Sequence, residues 1–388
     1  MCLVNMKKSE PSNRKSVKFI IFNHSGVVGG GERSSLSLLK NLDKKKFDPL
    51  VIFPKGPYKD LLKETKVRYE PLDIYLLRFR TLPLYFLSFI RLFFKVRKEK
   101  PAFIYCNSIQ ASQWGLPLGF ILRKPVIVHF RDWEIGVASR FILKAFPNYF
   151  AVANTNAVRN KMIKEGFMKQ ERSFVVYNAV DTDAFFVDQK DQKFRSEFNI
   201  PQSDYLVGIV GMIDKQKGHH LLIEALNILR NDIKNLKIVV VGDTSWTSDK
   251  NYFRELEKRI KELNLESRVI FTGFRRDVAT MLRGLDLVAI PSEHETFGRL
   301  AIESMAVGKP VVGSNSGGLP EIIKDRPLGF IFKQGSFKEL AAKIKKIYFE
   351  KDMLKSYMKN ESDKVKKEFN PAVYSQSLSK IFTQVLGR

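Results

Sequence analysis

Glu295 and Glu303 stand eight residues apart around the step Phe297-Gly298, in the stretch Pro291-Ser-Glu-His-Glu-Thr-Phe-Gly-Arg-Leu-Ala-Ile-Glu303. A carboxylate accepts hydrogen bonds from two vicinal hydroxyls, so glutamates in this pattern suit a sugar or a ribose. The element that must position them is a helix. Apolar periodicity runs from about Phe297 to Gly308, directly after Asp286-Leu-Val-Ala-Ile290, which reads as a buried strand. The first amides of that helix, from Phe297 through Gly298 and Arg299 to Leu300, lack intrahelical partners. With the positive end of the helix dipole they make a site for phosphate or polyol oxygens. Gly298 has no side chain and lets a ligand approach the backbone. Glu295 would then stand at the mouth of a crevice and Glu303 about two turns in, on the same face. For a glutamate pair taken alone, the bland alternative is a dipole partner and a solvated surface charge.

Three further places carry chemistry-bearing residues. A glycine loop, Gly29-Gly30-Gly31, separates the first strand from the first helix, a geometry that cradles phosphate. The dinucleotide fingerprint is met only in part. Ser34 stands at its third glycine, and the second strand ends in Val51-Ile-Phe-Pro54 without the acidic residue a nicotinamide ribose needs, which argues against a dehydrogenase. His129 ends the apolar strand Val126-Ile-Val-His-Phe130, and strand ends of open α/β sheets line ligand crevices. Lys217-Gly218 follows the strand Tyr205–Val210 in a second glycine-containing turn. His219, His220 and His294 form no spaced metal set, and there is no zinc signature. Asp181-Thr-Asp183 lies in a turn and reads as structural.

The long segment from Glu295 onward resembles the donor-site signature of the retaining glycosyltransferases of family 4, the glycosyl transferases group 1 of the GT-B fold. That pattern places a glutamate, Phe-Gly and a second glutamate eight positions after the first. Gly308-Lys-Pro-Val-Val312 and Gly317-Gly-Leu-Pro-Glu321 continue the match. Lys217-Gly218, the Gly-Gly-Glu-Arg loop at Gly30 to Arg33, His129, Tyr177-Asn-Ala-Val-Asp181 and Gly273-Phe-Arg-Arg-Asp277 are similar to the family's other segments. Two departures stand out: Ala179 replaces a usual glycine, and Met212 stands where an arginine usually grips the donor diphosphate, with Arg299 or Lys215 able to compensate.

The resemblance implies a metal-independent enzyme without cofactor that takes a nucleotide-diphosphate sugar as donor. His129 and Glu295 would be catalytic. Gly30, Gly31, Lys217, Phe297, Gly298, Arg299, Leu300 and Glu303 would bind the donor. The acceptor would be a glycan or lipid-linked hydroxyl in cell-surface polysaccharide or lipopolysaccharide synthesis. The rival within the fold is a sugar-nucleotide epimerase. The rival from another class is a non-catalytic basic protein that binds sugar or nucleic acid, though no nucleic-acid-reading motif is present.

These residues need a scaffold of alternating strands and helices, and the whole chain reads that way. The strands expected are Val17–Asn23, Pro49–Phe53, Phe103–Cys106, Val126–Phe130, Tyr149–Ala153 and Phe174–Tyr177, then Tyr205–Val210, Lys237–Gly242, Arg268–Thr272, Asp286–Ile290, Pro310–Ser314 and Gly329–Phe332. Most are continuous apolar runs, as in parallel strands covered on both faces. The fold class is α/β, with two Rossmann-like doubly wound domains facing a central cleft. The first, residues 1–183, would bind the acceptor. The second, 184–369, would bind the donor, after a linker at Asp183–Ser203. In the family a C-terminal helix, here within 370–388, crosses back to the first domain.

Net charge is +25, unevenly spread: residues 1–180 hold 32 Lys and Arg against 13 Asp and Glu, the remainder 34 against 28. A strongly basic half implies an anionic partner, such as a phospholipid surface or a phosphorylated carrier. Leu82 to Phe94 is the longest apolar run, interrupted by Arg91 and too short to span a bilayer. As a helix from Pro83 to Lys98 it would carry Ser88, Arg91, Lys95 and Lys98 as one polar stripe, with apolar residues over the rest. That face is broader than one core contact needs: either the helix is sandwiched, or its excess apolar surface meets lipid or another protein. Two cysteines, Cys2 and Cys106, make no disulfide scaffold, and the polar first 17 residues read as no secretion signal. The expected location is cytoplasmic, peripheral on the inner face of the membrane.

Overall fold

The computed structural model describes residues 16–188, 192–245, 247, 249 and 251–387. The chain forms two compact units. The first comprises residues through His129, Ile135–Ala151 and the end of the chain from Ser379; the second comprises Phe130–Glu134 and Val152–Leu378.

Seven parallel strands make the first sheet, in the order β3-β2-β1-β4-β5-β6-β7: β1 (Val17–Phe22), β2 (Phe47–Pro54), β3 (Arg68–Leu72), β4 (Phe103–Cys106), β5 (Val126–Phe130), β6 (Phe150–Ala153) and β7 (Ser173–Val175). Between them run α1 (Gly30–Asn41), α2 (Tyr58–Lys63), α3 (Leu82–Glu99), α4 (Ser112–Leu122), α5 (Val137–Ala145) and α6 (Asn156–Lys164). The second sheet has the order β10-β9-β8-β11-β12-β13, from β8 (Tyr205–Val210), β9 (Leu236–Val241), β10 (Val269–Gly273), β11 (Leu287–Ile290), β12 (Val311–Ser314) and β13 (Gly329–Phe332). Its helices are α7 (Lys193–Glu197), α8 (His219–Leu229), α9 (Tyr252–Glu262), α10 (Val278–Gly284), α11 (Arg299–Ala306), α12 (Leu319–Ile323), α13 (Phe337–Phe349) and α14 (Lys351–Glu368), followed by α15 (Pro371–Leu386). In each sheet the strand order reverses beside the first strand, the topology that opens a crevice at the carboxyl ends of the strands.

Apolar runs make the strands because both faces are covered: Ile21, Phe22, Val51, Ile104 and Ile127 are buried in the first sheet, Val207, Val239 and Val288 in the second. In the first unit Phe19 stacks on Phe103 at 4.6 Å, and Phe382 of α15 packs on both at 5.3 and 5.0 Å. Such aromatic contacts add to plain area burial.

All twelve expected strands form, within one or two residues at most ends. One more, β3, was not expected. Arg68-Tyr-Glu-Pro-Leu72 has no apolar run and contains Pro71, both tolerable because β3 is an edge strand. The stretch expected as a linker contains α7, whose Phe194 is fully buried against Gly284. Helix α3 also departs from expectation. Ser88 does not lie on a solvent stripe; it is buried beside Tyr85, Leu92 and Val96 and donates to the Tyr85 carbonyl at 2.8 Å. That bond satisfies the hydroxyl inside and turns Leu84, Phe86, Leu87, Ile90 and Phe94 outward. Lys95 is half-buried and paired with Glu70, leaving Arg91, Arg97 and Lys98 exposed. Among the described residues, no helix is long and apolar enough to cross a membrane.

Candidate active site

In the second unit, β8 and β11 run side by side and end at Val210 and Ile290. A cavity of about 270 Å³ opens at those ends. Its walls include Ile209, Val210, Ala289 and Ile290 from the strands, Lys217 from the turn after β8, and Glu295, Arg299, Leu300 and Glu303 from the turn and helix after β11. The sequence placed these last five together; the fold does so by ending two adjacent parallel strands at one edge.

The turn after β8 is closed by Asp214, which caps a short 3₁₀ turn at Lys215–Lys217 by accepting from the Gln216 amide. The Thr247 hydroxyl, 2.6 Å away, is the main cause holding the Asp214 carboxyl below its ordinary range. Gly218 follows at φ +76°, where a Cβ would lie 2.3 Å from the Pro291 carbonyl oxygen. Only glycine lets this turn seat against the exit of β11, and that contact carries Lys217 to the cavity. There Lys217 Nζ lies 3.2 Å from Glu295 Oε2. Lys215, by contrast, is exposed and does not line the cavity.

Glu295 is fixed twice, since its other oxygen accepts from the Gly298 amide at 3.3 Å. Helix α11 starts at Arg299, two residues later than the apolar pattern suggested. Gly298 caps it in the left-handed region at φ +89°. The Arg299 and Leu300 amides therefore come first in the helix and face no preceding turn. The Phe297 side chain is buried against Tyr177 and Phe369, with ring centroids 6.2 Å apart in each case, and anchors the turn that carries its amide. Within α11, Arg299 Nε donates to Glu303 Oε1 at 2.9 Å, one turn along the helix. The cavity wall thus holds two ion pairs, Lys217–Glu295 and Arg299–Glu303, beside an open helix start. An anionic diphosphate can take the lysine and the amides; vicinal hydroxyls can take the carboxylates.

Glu321, the last residue of the Gly-Gly turn, does a job the sequence did not reveal. Its carboxylate accepts from the Asn156 and Ala157 amides at 2.9 and 2.6 Å, at the start of α6, and from Tyr177 OH at 3.1 Å. Burial, then the Glu321 charge, raises the Tyr177 pKa. Gly317 and Gly318 make this turn fit against the Glu295 and Thr296 carbonyls. Also unanticipated, Trp133 stacks on His294 at 5.7 Å with Lys161 over its ring.

In the first unit His129 ends β5 and is fully buried. Its Nδ1 lies 2.6 Å from Tyr105 OH on the neighbouring strand, which fixes the ring plane and couples its tautomer to that hydroxyl. Gly30 and Gly31 form the first turn of α1. Glu32 reaches back to accept from the Gly29 amide at 3.1 Å, and Asn107 donates to the Gly31 carbonyl at 2.9 Å. A Cβ on Gly30 would meet open space. Among the described residues, no cluster of three or more His, Cys, Asp or Glu side chains gathers as a metal site.

Comparison with known proteins places the chain among glycosyltransferases. The family model described as Glycosyltransferase Family 4 matches residues 28–184, and that described as Glycosyl transferases group 1 matches residues 190–364. The capsular polysaccharide biosynthesis glycosyltransferase CapM of Staphylococcus aureus is 22% identical over 320 residues, 77% of this chain and 81% of CapM. A D-inositol 3-phosphate glycosyltransferase of Corynebacterium aurimucosum is 29% identical over 203 residues, 50% of this chain and 48% of that protein, so this match spans about half the relative's length. The crystal structure of Anabaena HepE in complex with UDP superposes with a TM-score of 0.82 at 25% identity, covering 95% of this chain and 100% of HepE. HepE with UDP-glucose gives 0.80 at 26%, covering 95% and 99%. The chain belongs to the family 4 glycosyltransferases, the glycosyl transferases group 1, and has their GT-B fold of two α/β domains.

Proposed function

We propose that the chain is a retaining glycosyltransferase that moves a sugar from a nucleotide-diphosphate sugar to a hydroxyl of a glycan or lipid-linked acceptor. The observation that carries this reading is the joining of Lys217–Glu295, the open start of α11 and Glu303 in one cavity. HepE, of the same fold, was solved with UDP and UDP-glucose, which makes a UDP-sugar the first donor to test.

In this reading Glu303 accepts from the ribose hydroxyls and Arg299 orients it. Lys217 and the Arg299 and Leu300 amides hold the diphosphate, so the negative charge that develops as it leaves meets donors already in place. No metal is needed for that task. Met212, half-buried and outside the cavity wall, leaves the cation role to Lys217 and Arg299. Glu295 and His129 hold hydroxyls of the transferred sugar. The acceptor oxygen bonds to the anomeric carbon as its bond to the phosphate oxygen breaks, on the same face. The acceptor proton passes to the departing phosphate oxygen.

Gly30 and Gly31 let donor phosphate and acceptor approach the backbone of α1 in the first unit. CapM's name, a capsular polysaccharide biosynthesis glycosyltransferase, supports a cell-surface polysaccharide as the product class. The outward apolar face of α3, flanked by Arg91, Arg97 and Lys98, supports peripheral attachment to an anionic inner membrane surface.

The test uses UDP-glucose and related donors with a membrane extract as acceptor source. Nucleotide diphosphate release that requires the extract, with the donor's anomeric configuration kept in the product, is expected. Release without extract, or an inverted product, overturns the reading.

A further inference from the structure

The strand order of the first sheet reverses between β1 and β4, and in open α/β sheets ligands seat in the crevice outside such a reversal. The two strands end level, with Phe22 opposite Cys106. Two residues beyond those ends stand His24 on one side of the reversal and Ser108 on the other. Their side chains meet: His24 Nδ1 lies 2.9 Å from Ser108 Oγ.

Backbone bonds brace both loops. The Asn23 amide donates to the Ile52 carbonyl at 3.0 Å, the Tyr58 amide to the Gly26 carbonyl at 2.9 Å and the Asn107 amide to the Phe22 carbonyl at 2.9 Å. The Asn107 side chain donates to the Gly31 carbonyl at 2.9 Å and ties the exit of β4 to the first turn of α1.

The same network assigns the proton on the imidazole. Ser108 is buried, and its Oγ accepts from the Ala111 amide at 3.2 Å. Among the described residues the Ser108 hydroxyl has one acceptor for its own proton, His24 Nδ1. The neutral ring then carries its proton on Nε2, and the imidazolium carries one on each nitrogen. Nε2 is a donor in both forms. It has no hydrogen-bond partner among the described residues, and the ring is half-buried. His129 ends β5, the next strand after β4. Neighbouring strands lie ~4.8 Å apart, so His24 stands two strands, or ~10 Å, along the sheet from His129. That separation is within the reach of one or two sugar rings.

We propose that His24 binds the acceptor, donating from Nε2 to an acceptor oxygen remote from the hydroxyl that reacts. Ser108 is a positioning residue, which keeps the proton on that nitrogen and fixes the ring. This role rests on the transferase activity and gives the first unit a side chain for acceptor recognition, distinct from His129 at the transferred sugar.

Steady-state transfer by the full chain tests it, with UDP-glucose or the related donor that supports transfer and a membrane extract as acceptor source. The extract is varied at saturating donor, and binding of the donor's nucleotide diphosphate is measured by calorimetry. His24→Leu should raise the half-saturating extract concentration at least about fivefold and leave nucleotide affinity within about twofold. His24→Gln, whose amide nitrogen stands where Nε2 stood, should restore most of the loss. His24→Asn, whose amide reaches only to the place of Nδ1, should not. Ser108→Ala should give a smaller rise than His24→Leu. The contrast of Gln with Asn keeps the test open if His24→Leu does not fold. Unchanged extract dependence in His24→Leu overturns the proposal. So does nucleotide affinity that falls in parallel, which places His24 at the donor, and so does an equal loss in the Gln and Asn variants. Absence of transfer by the wild type overturns the transferase reading itself, and this role with it.

Discussion

Glu295 receives the Lys217 ammonium on one oxygen and the Gly298 amide on the other, so its orientation is set before any ligand arrives. Glu295→Gln keeps the shape and removes the charge that holds Lys217. Turnover at saturating donor is expected to fall at least tenfold, with nucleotide affinity changed by less than about threefold, since a charged hydrogen bond is worth ~1.5–3 kcal/mol. His129→Ala, which also releases Tyr105 OH, should behave alike. Steady-state kinetics beside nucleotide titration separates the two effects, and near-normal turnover in either variant removes that residue from the chemistry.

His219 supports the same turn in another way. It is buried at the start of α8, directly after Gly218, with no hydrogen bond on either ring nitrogen among the described residues, and burial pushes its pKa down to about 4. The unfolded chain takes up this proton near pH 6.5 and the folded chain only near pH 4, so stability is full above pH 6.5 and declines as pH falls toward 4. Between pH 7 and pH 4 the wild type should lose ~2–3 kcal/mol more than His219→Leu in urea unfolding. Equal losses would mean that His219 is not protonated on unfolding in this window.

The helix α11 shows what short-range pattern tells and what it does not. The spacing of Glu295, Gly298, Arg299 and Glu303 was legible because an α-helix converts spacing directly into a shared face. The starting point was not, because Gly298 adopts φ +89° to cap the helix, and Phe297 turns away toward Tyr177 and Phe369 from distant segments. Glu321 was visible only as part of a motif, since its partners Asn156 and Ala157 lie 165 and 164 residues away. The strands were legible as apolar runs, while β3 was hidden by the polar composition that an edge strand permits. In α3 the buried side was misread because the Ser88 hydroxyl finds its partner on its own helix. Gly298→Ala tests the element directly. The left-handed conformation costs a residue with a Cβ about 1–2 kcal/mol, and the new methyl would meet Leu319 Cδ1 at 2.6 Å. A loss of ~2 kcal/mol in urea unfolding, with weaker nucleotide binding, is expected. Unchanged stability would mean that the turn can be rebuilt without the left-handed cap.

At the scale of the whole molecule, charge and exposed apolar surface concentrate in the same part of the sequence. Residues 1–180 carry 32 basic against 13 acidic residues, and α3 presents Phe86, Ile90 and Phe94 to solvent, Phe94 at 64% exposure. Each basic residue near an anionic leaflet contributes about 1 kcal/mol, and inserted aromatics add to that. Co-sedimentation with vesicles rich in anionic lipid should be strong at low salt and weaken as salt rises. It should fall sharply when Arg91, Arg97 and Lys98 become Ser, or when Phe86 and Phe94 do. Equal recovery in the supernatant with and without anionic vesicles would remove the membrane from the account.

The central claim is that the cavity at the ends of β8 and β11 holds the nucleotide diphosphate of a sugar donor. Calorimetric titration of the full chain with UDP, GDP, ADP and dTDP, repeated on Glu303→Ala, tests it most directly. At least one nucleotide should bind saturably to the wild type and about tenfold or more weakly to Glu303→Ala, the loss expected when ribose hydroxyls give up a charged acceptor. Absence of binding by all four, or equal affinity in the variant, would contradict the account.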